Sequence, residues 1–247
     1  QPPGPGFPLH APSVYISTVF ATARSLANPV LGVDACKSGW VAIRLADTVT
    51  ADFASTIDAL PTSDDTVVAI DIPIGLPDRG RRTADVEART LLGPRWSSIF
   101  MTPVRTALTE ETHVRASAVN RELAGEGMSI QAFGLFPKIR EVDAWRRTVS
   151  CHVVEAHPEL SFREMAGTPL LDSKKTWAGL ERRRELLAEQ GIHLPADLGE
   201  AGRQAAPDDI LDAAAVAWTA ARVASGTAIP LPNPPDEYDD AAVAIWR

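Results

Sequence analysis

The sequence predicts an α/β fold: a mixed five-stranded sheet with helices on both faces and a long helical insertion before its last strand. Three observations predict it. Three short strand-like runs follow one another between residues 29 and 53 with little but turns between them. A continuous β-branched run, Thr66–Ile72, is stopped by Pro73, as in a strand buried on both faces of a sheet. A helical pattern then separates it from a further apolar run at Cys151–Ala156, so the last two strands are reached through helical crossovers.

Residues 29–34 read as the first strand, ending in Asp34. Cys36–Gly39 supply a turn, and Trp40–Leu45 pairs back as a hairpin. Thr48–Phe53 is the third strand, and Ser55–Leu60 a short helix. Beyond Pro73 the pattern is helical to Ser150, an insertion of about residues 74–150. Thr83 opens a helix that Gly93 ends, and a second runs from about Thr112 to Ala124 before Gly125. A third begins at Ser129 and reaches Arg147, broken or bent by Gly134 and Pro137. After the Cys151–Ala156 strand, Pro158 sits in the first turn of a short helix. A charged helix follows over Ser173–Gln190, and Pro207–Asp208 open the last long one. The closing segment reads as a proline-rich loop with a short strand at Ala241–Trp246.

At 247 residues and 45% hydrophobic composition, the chain is long enough for one well-buried domain over residues 29–247. The Pro- and Gly-rich residues 1–28 read as a leader or extension. No apolar run is long enough to cross a bilayer, and two cysteines give no disulfide framework, so a cytoplasmic protein with no membrane partner is expected. A formal charge of −8 argues against a general binder of long duplex DNA, though not against a site that itself needs carboxylates.

Four aspartates carry the functional reading. Asp34 and Asp71 each end a strand, and neighbouring strands would project them from one edge of the sheet. Asp209 and Asp212 are three residues apart on the last long helix, hence on one face of it. In-line attack on a phosphodiester benefits from two divalent ions about 4 Å apart, and Mg²⁺ or Mn²⁺ takes hard oxygen ligands. Next to Pro207, Asp208 and Asp209 also fit as ordinary helix caps. Asp212 differs, because it precedes the uncharged stretch Ala213–Ala221. A carboxylate at a buried place must be paired, hydrogen-bonded or metal-bound to offset its desolvation. Glu155, inside the last strand, is the expected accessory ligand or base, with His157 either orienting water or capping a helix. A zinc site from Cys151, Glu155 and His157 competes but lacks a fourth ligand.

The segments GVDACKSGW, AIDIPIGLPDRGRR, RWSSIF, SIQAFGLFPKIREVD, VEAHPELSF, SKKTWAGLERR and DDILDAAAVAWTA resemble the family called domain of unknown function 429, over about residues 30–230. Its members are predicted nucleases of the ribonuclease H-like superfamily. The resemblance implies a ribonuclease H-like sheet of order 3-2-1-4-5 with strand 2 antiparallel. It makes Asp34 the first-strand carboxylate, Asp71 the fourth-strand one, and Asp209 with Asp212 a helical pair like that of Holliday-junction resolvases.

The expectation is therefore a metal-dependent phosphodiesterase, a nuclease acting on nucleic acid or a nucleotide. Asp34, Asp71, Asp209 and Asp212 would hold one or two Mg²⁺ or Mn²⁺ ions, and no covalent intermediate would form. Arg81, Arg82 and Arg89 are candidates for phosphate contacts, since Arg grips phosphate through two parallel hydrogen bonds. Ser97, Ser98, Gln131 and Lys138 are further candidates to meet substrate, and Lys174 to stabilise developing charge. Two rivals stand beside this reading. A sugar-kinase or actin-like phosphotransferase would need a second lobe and a Gly-rich phosphate loop, neither of which is visible. A non-catalytic binding or regulatory protein would keep the fold and hold a partner on the helical insertion.

Overall fold

The computed structural model describes residues 28–64, 66–238 and 241–247. The extension expected over residues 1–28 lies outside them apart from Asn28.

The first three strands form an antiparallel meander: β1 (Val30–Cys36), β2 (Gly39–Leu45) and β3 (Val49–Ala54). Tight pairing such as Cys36↔Gly39 sets the register across the hairpin. β4 (Val67–Ile70) lies parallel to β1 with Val33 opposite Ile70, and β5 (His152–Ala156) lies parallel to β4 with Ile70 opposite Glu155. Two further strands, β6 (Pro230–Tyr238) and β7 (Ala241–Trp246), extend the sheet past β5. The described residues thus form one sheet of seven strands, in the order β3-β2-β1-β4-β5-β7-β6.

Seven strands rather than five correct the expected architecture. The closing segment supplies an edge hairpin where a proline-rich loop was expected. Its prolines cannot donate to a ladder and would break a central strand, but β6 is at the edge, where one side of the backbone needs no partner. Only β7, which carries no proline, pairs with β5.

The chain between β4 and β5 contains α1 (Thr83–Leu92), α2 (His113–Ala124), α3 (Ile130–Gly134) and α4 (Phe136–Trp145). Local chemistry sets their ends. Thr112 and Ser129 accept backbone N–H groups of the first turns of α2 and α3, and left-handed Gly125 (φ 80°) ends α2. Gly134 and Pro137 divide the expected 129–147 helix, with Pro137 in the first turn of α4. The short helix expected over Ser55–Leu60 is a single 3-10 turn, Ile57–Ala59, because so short a segment gives too few hydrogen bonds to offset helix nucleation. After β5 come α5 (Pro158–Ala166), α6 (Trp177–Glu189), α7 (Ala201–Gln204) and α8 (Pro207–Ala224).

Strand alternation divides the core into two layers. Val30, Ala69, Val154 and Ala156 pack with α5, α6 and α8 on one face. Leu31, Val33, Val68 and Ile70 pack with the insertion helices on the other. Gly32 decides how close α8 comes to β1. A Cβ there would lie 2.1 Å from the Ala217 nitrogen and 2.2 Å from the Ala213 oxygen. Helix backbone therefore rests directly on the strand, one residue from Asp212 and two from Asp34. α1 packs separately, through Ala84, Ala88 and Leu92, against Leu231 of β6 and Ile245 of β7.

Candidate active site

β1 and β4 are parallel neighbours, so their C-terminal ends share one rim of the sheet. The Asp71 N–H donates to the Val33 carbonyl at 3.1 Å, which pins the residue after β4 beside Asp34. Alternation does the rest. Val30 and Gly32 face α8, so Asp34 does too; Ala69 faces α8, so Asp71 follows it. Both carboxylates line a cavity of about 240 Å³ shared with Arg82, Asp85, Ser98, Thr102, Glu155 and His157. Asp212, 1% exposed on α8, lies next to them: its charge is felt at Asp34, and that of Asp71 at Asp212.

These acids resist ionisation. Burial, reinforced by the charges of Asp71 and Asp212, raises Asp34 well above the usual carboxylate range. Burial raises Asp71 to about 7, against the pull of Lys174 and with Glu159 adding to the rise. Asp212 is raised to about 6, again by burial, with Lys174 opposing and Asp71 and Glu159 adding. The Lys174 ammonium donates to Asp212 Oδ2 and lies 3.7 Å from Asp208 Oδ2. Burial works against its charge, but Asp212, Asp34 and Asp71 outweigh that and hold its pKa above the ordinary lysine value.

Oxygen atoms remain for a cation. Asp212 Oδ1 is buried without a hydrogen-bond partner. Asp34 uses Oδ1 on the Ala35 N–H at 2.7 Å, and the Asp71 carboxylate makes no hydrogen bond or ion pair among the described residues. This all-oxygen set suits Mg²⁺ or Mn²⁺ rather than zinc. Among the described residues, no three His, Cys, Asp or Glu side chains are placed to hold a metal ion.

Asp209 is partly turned away. Its Oδ2 accepts the Ala206 N–H at 3.2 Å, the capping role that its place beside Pro207 allows. Burial raises its pKa, and its charge still reaches Asp34.

Two of the expected residues already hold each other. Glu155, expected as an accessory ligand or base, alternates to the side of β5 away from α8, yet it lines the same cavity as Asp34 and Asp71. Its carboxylate is engaged by Arg82 Nη1 at 2.6 Å and Nη2 at 2.7 Å, and by the Ile74 N–H at 2.6 Å. Arg82, read as a phosphate contact, is 2% exposed and also donates to Asp85 and the Ile74 carbonyl. Its donors are committed inside the protein.

The other predicted contacts scatter. Arg81 is exposed and paired with Glu126 at 2.7 Å, beside a different cavity from that of Asp34. Arg89 donates to the Ile99 carbonyl at 2.8 Å and stacks over Trp96. Ser98 lines the acidic cavity, whereas Ser97 and Gln131 are exposed and do not line it. Lys138 sits over the Trp40 ring, 4.1 Å from its centroid. His157 caps α5: its Nδ1 accepts the Glu159 N–H at 3.2 Å, which leaves the Nε2 proton for the Ser98 carbonyl at 3.3 Å. Burial lowers its pKa. Cys151 and Cys36 are buried free thiols, and Cys151 lies before β5 near Thr62 and Asp64, about 13 Å along the strand from Glu155, too far to share a zinc ion with it.

Sequence reasoning missed Glu159, whose charge acts on Asp71 and Asp212 while Arg183 holds it at 2.6 Å and Arg95 stands 3.6 Å away. An acid one residue after Pro158 looks like any first-turn acid, so nothing local marked it. The Arg82–Asp85 spacing, by contrast, was a readable i,i+3 ion pair.

No helix among the described residues is long and apolar enough to cross a membrane. No curated protein matches the chain, and no solved structure does. A family model described as protein of unknown function (DUF429) matches residues 32–237, from β1 into β6 and across every residue of the acidic cavity except Ile245. The chain belongs to the DUF429 family.

Proposed function

We propose that this chain is a divalent-cation-dependent phosphodiesterase of ribonuclease H-like fold, a nuclease hydrolysing phosphodiester bonds of nucleic acid or a nucleotide. One observation carries the reading: Asp34 and Asp71 share a cavity from adjacent parallel strands, with Asp212 electrostatically coupled to both and one of its oxygens orphaned. Buried acids in mutual repulsion are costly unless a cation joins them. The order β3-β2-β1-β4-β5 with β2 antiparallel supports the ribonuclease H-like assignment, β7 and β6 being an addition at the β5 side.

Asp34, Asp71 and Asp212 would hold Mg²⁺ or Mn²⁺, with Asp209 beside them; the ion, when bound, polarises a phosphate oxygen and lowers the pKa of water. Lys174 steadies Asp212 and adds positive charge at the site. His157 ties the start of α5 to the Ser98 loop, so it shapes the cavity wall rather than moving a proton.

The non-catalytic reading keeps some support, because Arg81 and Arg82 are held by Glu126, Glu155 and Asp85, which thins the basic surface for a long polyanion. Calorimetric titration of Mn²⁺ into wild type and Asp34→Asn separates the two. Saturable binding in wild type and its loss in the variant support the enzyme; no heat in either supports the scaffold.

A further inference from the structure

We propose that the ammonium of Lys174 stands in the place of a second divalent cation, so that the acidic pocket takes one metal ion and not two. The inference rests on the pocket being a divalent-cation site, and it adds how that site is completed.

Lys174 does not line the cavity itself, but a tied loop holds it on Asp212 beside the acids, unlike a surface lysine that has drifted onto one. It lies in the loop before α6, and that loop is tied at several points. The Thr176 N–H donates to the Ser173 carbonyl at 2.9 Å, and Thr176 Oγ1 accepts the Gly179 N–H at 3.1 Å. Arg183, fully buried, donates to the Asp172 carbonyl at 3.1 Å and the Gly179 carbonyl at 3.0 Å. Gly179 is needed for this path, since a Cβ there would lie 2.0 Å from the Ser173 oxygen. The next residue behaves differently: the Lys175 side chain is 68% exposed and reaches Asp208 from outside, whereas the Lys174 side chain is 35% exposed.

The contacts divide the carboxylates into two sets. Asp212 gives Oδ2 to Lys174 and keeps Oδ1 unpartnered, while Asp34 and Asp71 make no ion pair among the described residues and feel Lys174 only at longer range. Asp208 is met by Lys175 at 2.6 Å, and Asp209 is engaged at the start of α8. Fully ionised, Asp34, Asp71 and Asp212 carry three negative charges. One divalent ion and one ammonium balance them, and a second divalent ion would have to take Asp212 Oδ2 from the ammonium that already holds it. A lysine ammonium is a compact point charge with three donors, suited to a phosphate oxygen on which negative charge develops.

Counting Mn²⁺ bound to the full chain, by the loss of the free-ion electron paramagnetic resonance signal at pH 8, tests this. Wild type is expected to bind one ion, Lys174→Arg one, and Lys174→Met two; a thermal melt of each verifies folding. Two ions in wild type would overturn the assignment of Lys174 while leaving the metal site standing, and so would a single ion in a folded Lys174→Met. No ion in any of the three removes the metal reading and this inference with it.

Discussion

Arg82 grips Glu155 through two hydrogen bonds, 2.6 Å from Nη1 to Oε2 and 2.7 Å from Nη2 to Oε1, at the end of the central sheet. The same guanidinium holds Asp85, whose Oδ2 accepts the Thr102 N–H at 2.8 Å. One buried cation thus joins β5, α1 and the loop leading away from α1. Arg82→Met would leave two buried carboxylates without their counter-ion, at a cost of about 3–5 kcal/mol. Urea denaturation reads this directly. If Arg82 instead served substrate, the variant would keep its stability and lose only binding.

Gly32 lets α8 rest on β1, and through it Asp212 reaches Asp34. Gly32→Ala puts a methyl group into helix backbone and is expected to destabilise by about 3 kcal/mol. It should also weaken Mn²⁺ binding without altering any carboxylate. A variant as stable as wild type would show that α8 can shift without consequence.

The acidic cavity makes stability depend on pH. Asp71 is raised to about 7 and Asp212 to about 6, both above the unfolded value of about 3.9. Between that value and the folded pKa, the native state binds more protons than the unfolded chain, so stability falls as pH rises through this window. Asp71→Asn removes one ionisation and should melt higher than wild type at pH 8, by about 2–4 °C for each kcal/mol recovered. The difference should fade below pH about 4, where the unfolded chain is protonated as well. Parallel melting curves for both proteins across pH 4–8 would contradict the raised pKa.

Cation binding should reverse that loss. Mn²⁺ added at pH 8 is expected to raise the melting temperature of wild type, the gain being about 2.7 kcal/mol at a hundred times Kd. Asp34→Asn should gain far less. The effect should shrink towards pH 5, as protons compete for Asp71 and Asp212.

Much of this architecture was legible locally. β1 to β5 announced themselves by β-branched runs and turns, and the helices by Thr112, Ser129 and Gly125 at their ends. β6 was not legible, because its prolines argue against a strand unless an edge position is known, and edge position is a property of the whole sheet. The side of the sheet on which Glu155 lies was hidden for a related reason. Its alternation with Cys151 and Val153 could be read, but which of the two faces carries Asp34 depends on where α8 lies. Arg82 illustrates a third limit: an arginine after a strand reads as a free phosphate grip until its partners, 3 and 73 residues away, are seen. That Asp34 and Asp71 end neighbouring strands, and that Asp212 opens a buried stretch of helix, could be read, since strand ends and an uncharged helix are local marks.

The most direct test is hydrolysis itself: labelled single-stranded, duplex, hybrid and branched nucleic acids incubated with Mn²⁺ or Mg²⁺ and either wild type or Asp212→Asn. Wild type should cleave at least one of them, and the variant should retain its fold while losing turnover by about a hundredfold or more. Cleavage by Asp212→Asn at the wild-type rate, or no cleavage of any substrate by wild type, would contradict the account.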